Sequence, residues 1–243
     1  MARDRRAPRD DVPVATERVL GVDACKSGWI GIALNDEMTT AYTATHIEEL
    51  VAAARADGPI EVIAIDMPIG LPDAGPRRAD QLARAAVGPR RASVFITPVR
   101  AALEAPDHAT AITVNRKLAG GGVSAQAFAL RFKLLEVDAW VRHADAAVVE
   151  VHPEVSFATL AGSPLTERKS SWAGSVQRRR LLAGAGIVLA DDLGPAGSAA
   201  AVDDILDAAI AAWTAGRVAR SEAQPMPDPP EVFNNGISCA IWT

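Results

Sequence analysis

Two apolar runs of strand length each stop at an aspartate, and this pairing constrains the fold more than any other feature of the chain. The first lies in RVLGVDACKSGWIGIAL, residues 18–34, and ends at Asp23. The second lies in IEVIAIDMPIGLP, residues 60–72, and ends at Asp66. A run without polar alternation is a strand covered on both faces, the setting of central, usually parallel strands. A carboxylate beside such a core is costly unless something compensates it. A turn, a cap-like hydrogen bond, or a bound metal or phosphate would do so.

The flanking elements follow from pattern. Residues 18–24 and 28–34 read as strands joined by the turn Lys26-Ser27-Gly28, and the β-branched stretch MTTAYTAT, 38–45, as a third antiparallel strand. A helix is expected over 46–57, ended by DGP, before the strand at 60–66. Residues 76–143 read as mostly helical, with Ala127, Leu130, Leu134, Val137 and Val141 recurring at helical spacing. AAVVEVH, 146–152, gives a further strand that Pro153 stops. Helices follow at 174–186 and 203–219, and a proline-rich linker leads to a candidate edge strand at the C-terminus.

This order predicts an α/β chain of ribonuclease-H-like topology: a mixed five-stranded sheet, helices on both faces and a helical insertion. One domain is expected over 18–243, after a disordered tail at 1–17 that mixes both charge signs with proline and offers no apolar face. In that topology the first and fourth strands lie side by side and parallel, so Asp23 and Asp66 become neighbours. The helix at 203 contributes Asp204 and Asp207, which share a face at a spacing of three, with Asp203 one turn from Asp207. Each aspartate alone has an ordinary explanation as a turn former or helix cap. Their convergence at one end of one sheet does not. Crowded carboxylates repel unless they share protons or bind cations, and hard divalent ions prefer such oxygens.

The segments VLGVDACKSGWIGIAL, AIDMPIGLP, SVFITPVRAAL, EVHPEVSF and DDILDAAIAAW together resemble a domain-of-unknown-function family of predicted ribonuclease-H-like nucleases, from about Val19 to Trp242. The acidic pattern is more distantly similar to that of RuvC-type Holliday-junction resolvases. Those carry an aspartate on the first strand, a glutamate on the fourth and Asp-x-x-Asp on the final helix. Asp23, Asp66, Asp204 and Asp207 match, with Asp66 one methylene shorter than its counterpart. The resemblance implies a metal site on these four residues holding Mg²⁺ or Mn²⁺, with two ions expected.

Within EVHPEVSF, Glu150 is a candidate further metal or water-orienting carboxylate, and His152 a candidate proton shuttle and substrate contact. Arg77 and Arg100 are expected at the acidic mouth as phosphate contacts. Lys169, in TERKSSW, is expected on a mobile loop and in solvent. AGGGVSAQAF is read as a flexible loop ahead of a serine cap.

Composition narrows the function classes. A net charge of −5 argues against a generic polyanion binder and sits awkwardly with the function that the acidic cluster favours, a metal-dependent nuclease acting on a nucleic acid or nucleotide. A phosphotransferase of the actin-type fold group, or a non-catalytic binding module, is the alternative. No apolar run has the length to span a membrane, and the N-terminus lacks the hydrophobic segment of a signal peptide. Two cysteines, Cys25 and Cys239, form neither a disulfide framework nor a zinc spacing, and a reducing cytoplasm is expected. Much of the apolar content is alanine and aromatics are 5%, so helices should pack closely.

Overall fold

A computed structural model describes residues 18–35, 38–233 and 236–243. The tail expected at 1–17 lies outside these residues. The N-terminal half runs β1 (Val19–Cys25), β2 (Gly28–Leu34), β3 (Thr39–Ala44), α1 (Ile47–Ala56) and β4 (Val62–Ile65). Helices α2 (Arg78–Ala86), α3 (Arg100–Leu103), α4 (His108–Ala119), α5 (Ala125–Ala129) and α6 (Arg131–Trp140) follow. After β5 (Ala147–Val151) come α7 (Pro153–Ala161), α8 (Trp172–Gly184), α9 (Pro195–Ala199) and α10 (Val202–Ala219). The chain closes with β6 (Pro225–Val232) and β7 (Ser238–Trp242). Among the described residues no helix is long and apolar enough to cross a membrane.

The described strands form one mixed sheet of seven, in the order β3-β2-β1-β4-β5-β7-β6. The expected count of five is therefore too low. The proline-rich segment read as a linker is itself β6, and it forms the sheet edge. Its prolines lack an N–H, which an edge strand can do without because one side has no partner. The C-terminal strand β7, expected at the edge, lies inside, parallel to β5 and antiparallel to β6.

β1 pairs in parallel with β4, Val19 opposite Val62 and Val22 opposite Ile65. The Asp66 N–H donates to the Val22 carbonyl at 2.9 Å, which carries the ladder one residue further. Strand alternation then divides the sheet into two cores. Leu20, Val22, Ile63 and Ile65 face α1 and α6. Val19, Val62, Ala64, Val149 and Val151 pack with Ala211 and Ala215 of α10 on the other face.

The register places Gly21, Asp23 and Asp66 on the α10 face. At Gly21 the absence of a side chain decides the packing: a Cβ there would lie 2.0 Å from Ala212 N and 2.1 Å from Ala208 O. The α10 backbone thus rests directly on the β1 backbone through Ala208, Ala211 and Ala212, all fully buried. Alanine suits both requirements, since it favours helix and keeps the surface flat.

Gly21→Ala should therefore destabilise the protein by about 3 kcal/mol or more, because the added methyl meets backbone that cannot rotate away. Urea unfolding checks this; a loss below about 1 kcal/mol would show that α10 can slide.

Candidate metal centre

Three carboxylates meet where these elements end. Asp23 is the fifth residue of β1 and remains paired opposite Ile30. Asp66 follows the last residue of β4, and Pro68 prevents the strand from continuing. Asp207 lies in the second turn of α10, fully enclosed. One oxygen from each of the three lies within 4.8 Å of the others. The clustering expected of Asp23, Asp66 and Asp207 is thus realised. Asp204, one turn earlier on the same helix face, is half-buried and lines the same cavity at its rim.

Among the described residues one cation sits in the cluster. Lys169 Nζ donates to Asp207 Oδ2 at 2.5 Å and lies 4.0 Å from Asp203. The lysine expected to be merely solvated is paired with the cluster, although its side chain stays 40% exposed. Arg90 donates to the Leu165 and Thr166 carbonyls, and the buried Arg178 donates to those of Glu167 and Gly174. The loop is tied just ahead of Lys169.

One ammonium does not neutralise three carboxylates. Burial is the main cause that lifts Asp23 well above its ordinary range, and Asp66 and Asp207 reinforce it. Burial also pushes Asp66 up to about 7, against the pull of Lys169 and with the push of Glu154 and Asp204. Asp207 is likewise raised to about 7 by burial, opposed by Lys169. Asp204 is raised by burial and by Asp203 beside it. Asp207 Oδ1 is buried without a hydrogen-bond partner. A buried carboxylate oxygen without a partner, in a cluster with two more carboxylates, fits a hard divalent cation, and these residues can hold a metal ion.

The remaining predicted residues are placed differently. Glu150 lies on β5 between Val149 and Val151, which face α10, so alternation turns it to the opposite face of the sheet. There it accepts from Arg77 Nη2 at 2.6 and 2.7 Å and from the Ile69 N–H at 2.8 Å. It lines the same cavity but is spent on holding the segment after Asp66 and does not join the three aspartates. Arg77, expected at the mouth, is fully buried between Glu150 and Asp80. Arg100 pairs with Asp138 at 2.5 Å and with Glu104, away from the cavity wall. His152 does line the cavity; burial lowers its pKa and its Nδ1 has no partner. The triple-glycine segment forms the left-handed end of α4 at Gly120, and Ser124 caps α5, so it serves as a helix-to-helix turn.

The cavity above the cluster has a volume of about 600 Å³. Besides the acids its wall includes Arg90, Arg168, Lys169 and Phe95. Sequence reasoning missed Arg168, which sits in a segment with no strong periodicity.

Over residues 21–232 the chain matches the family described as a protein of unknown function (DUF429). It belongs to that family. No curated protein and no solved structure matches it. The acidic cluster of this DUF429 chain lies wholly within the matched span.

The raised carboxylates give a pH signature. Folded Asp66 binds its proton more tightly than the unfolded residue, about 7 against 3.8. Folding therefore takes up protons between those values, and the contribution to stability falls as pH rises from about 4 to about 7. His152, lowered by burial, acts in the opposite sense below its ordinary 6.5. In chelator, Asp66→Asn should show a shallower loss of urea midpoint than the parent between about pH 5 and pH 7.5. Parallel pH profiles for the two proteins would refute the raised carboxylate.

Proposed function

We propose that this chain is a divalent-metal-dependent nuclease, hydrolysing phosphodiester bonds on a ribonuclease-H-like scaffold. The observation that carries the reading is the approach of one oxygen each from Asp23, Asp66 and Asp207 to within 4.8 Å at the ends of two parallel strands. The strand order β3-β2-β1-β4-β5 within the larger sheet supports the scaffold assignment. Asp23, Asp66 and Asp207 would hold a first Mg²⁺ or Mn²⁺ ion, with Asp204 at the rim available to a second. When bound, such ions lower the pKa of water and act as Lewis acids toward a phosphoryl oxygen.

The chain's own residues supply the rest. Lys169 balances part of the acidic floor and presents its ammonium where a phosphate would approach. Arg168 adds a permanent positive charge in the same wall, with geometry suited to phosphate oxygens. His152, kept neutral by its surroundings, offers an unpartnered nitrogen that can take a proton. The cavity volume of about 600 Å³ accommodates a nucleotide unit. This reconciles a net charge of −5 with a polyanionic substrate, because the attraction is local to the cavity.

The test is a cleavage panel over single-stranded, double-stranded, hybrid and branched substrates with Mg²⁺ or Mn²⁺. Asp23→Asn should lower cleavage about a hundredfold or more, since even outer-shell partners of metal ligands cost up to that much. The substitution keeps the oxygen that accepts from the Ala24 N–H at 2.6 Å. Without metal it should leave stability unchanged or raise it by about 1 kcal/mol through relieved repulsion. Mn²⁺ should raise the thermal midpoint of the parent and that of Asp23→Asn much less. A destabilised variant together with a parent that ignores metal would end the nuclease reading.

A further inference from the structure

Lys169 divides Asp207 into two unlike halves. Its Nζ lies 2.5 Å from Asp207 Oδ2 and 4.0 Å from Asp203 Oδ2. Asp203 and Asp207 are one turn apart on α10, so the ammonium lies beside two carboxylates of one helix face. Asp207 Oδ2 is taken by this bond, while Oδ1 is buried and has no partner. The whole residue is 2% exposed. A carboxylate shared by two ions about 3.5–4 Å apart gives one oxygen to each. Asp207 has only one oxygen left to give.

The lysine is delivered by a built turn. The Arg168 carbonyl accepts from the Ser171 N–H at 3.0 Å and from Ser171 Oγ at 2.8 Å. Ser171 Oγ in turn accepts from the Gly174 N–H at 3.1 Å and caps α8. A Cβ at Gly174 would lie 1.8 Å from the Arg168 carbonyl oxygen, so the turn seats on α8 only because residue 174 is glycine. Ahead of the turn, Arg90 and Arg178 hold the carbonyls of Leu165, Thr166 and Glu167. The backbone is thus fixed on both sides of Lys169. A lysine placed only for solvation needs none of these bonds. Burial works against its charge, yet Asp207, Asp23 and Asp66 together hold its pKa above the ordinary range.

Resting on the nuclease reading above, we propose that the Lys169 ammonium takes the place of a second divalent ion in the substrate-free protein. Asp207 gives Oδ1 to a single Mg²⁺ or Mn²⁺ shared with Asp23 and Asp66, and Oδ2 to the lysine. The place at Asp204 opens to a second ion only when the ammonium leaves Asp207 and Asp203. Lys169 therefore sets how many ions the cluster holds. A phosphate entering the cavity meets one metal ion and one ammonium.

The experiment counts ions and does not depend on cleavage. Full-length protein is titrated with Mn²⁺ alone, and bound ions are counted by calorimetry and by loss of the free-Mn²⁺ electron paramagnetic resonance signal. The parent should bind one ion per chain. Lys169→Met and Lys169→Gln remove the charge and free Asp207 Oδ2, and each should bind two. Lys169→Arg keeps a cation and should stay at one. A lysine that served only to hold its loop would leave the count at one in all four proteins. Two ions on the parent, or one on both neutral variants, would overturn the proposal. The parent's count decides even where a variant does not fold. The two readings fail separately. The expected counts without cleavage of any substrate remove the hydrolysis alone, and metal-dependent cleavage by a parent holding two ions removes the lysine's role alone. A parent that binds no Mn²⁺ removes both.

Discussion

The contact of the Gly21 backbone with α10 is the constraint on which the site depends. A glycine on β1 and an alanine face on α10 allow strand and helix to touch without intervening side chains, with Ala208 and Ala212 directly above Gly21. Asp207 immediately precedes Ala208, and Asp23 follows Gly21 by two residues on the same strand face. Any larger residue at the contact would raise the helix and carry Asp207 away from Asp23 and Asp66. The alanine content and scarcity of aromatics, unremarkable as composition, have this geometric use. The helix polarity assists: α10 presents its N-terminal end to the acids, where its dipole favours negative charge.

A second tier of buried ion pairs fixes the segments that carry the other ligands. Glu150 and Arg77 pair on the opposite sheet face, and the Ile69 N–H bonded to Glu150 belongs to the turn immediately after Asp66. Glu154, on α7, pairs with Arg178 at 2.6 Å, and Arg178 in turn holds the carbonyl of Glu167, two residues before Lys169. Each pair thus anchors one loop bordering the cluster. Buried pairs of this kind contribute little net stability compared with apolar packing, but removing one partner leaves a charge stranded. Their use here is positional. One sets the segment bearing Asp66, and the other sets the segment bearing Lys169.

What could be read in the sequence follows from how local each signal is. Asp23 and Asp66 were legible because an acid that ends an apolar run is conspicuous, and parallel pairing of the two runs makes them neighbours. Asp207 was legible together with Asp204 through helical spacing, although the rotation of α10 that buries one and leaves the other at the rim comes from Gly21 packing. β6 was hidden because proline argues against strand everywhere except at an edge, and edge position is a property of the whole sheet. Arg77 was misplaced because an arginine near an acidic site suggests a surface contact. Its partner arrives from the far face of β5, 73 residues along the chain. Lys169 was undervalued for the same reason: its tethers, Arg90 and Arg178, lie outside its own segment.

The charge layout of the cavity also orders the events on the proposed reading. The floor gathers three carboxylates around one ammonium, so a phosphate approaching it without metal finds little net attraction there. Divalent ions on those carboxylates reverse the sign of the floor while Lys169, Arg90 and Arg168 continue to attract from the wall. Metal and phosphate therefore favour each other's binding. Linkage makes that coupling reciprocal, so a phosphate in the cavity must also tighten the metal. The cluster holds fewer positive charges than carboxylates, and Lys169 tempers the shortage without removing it.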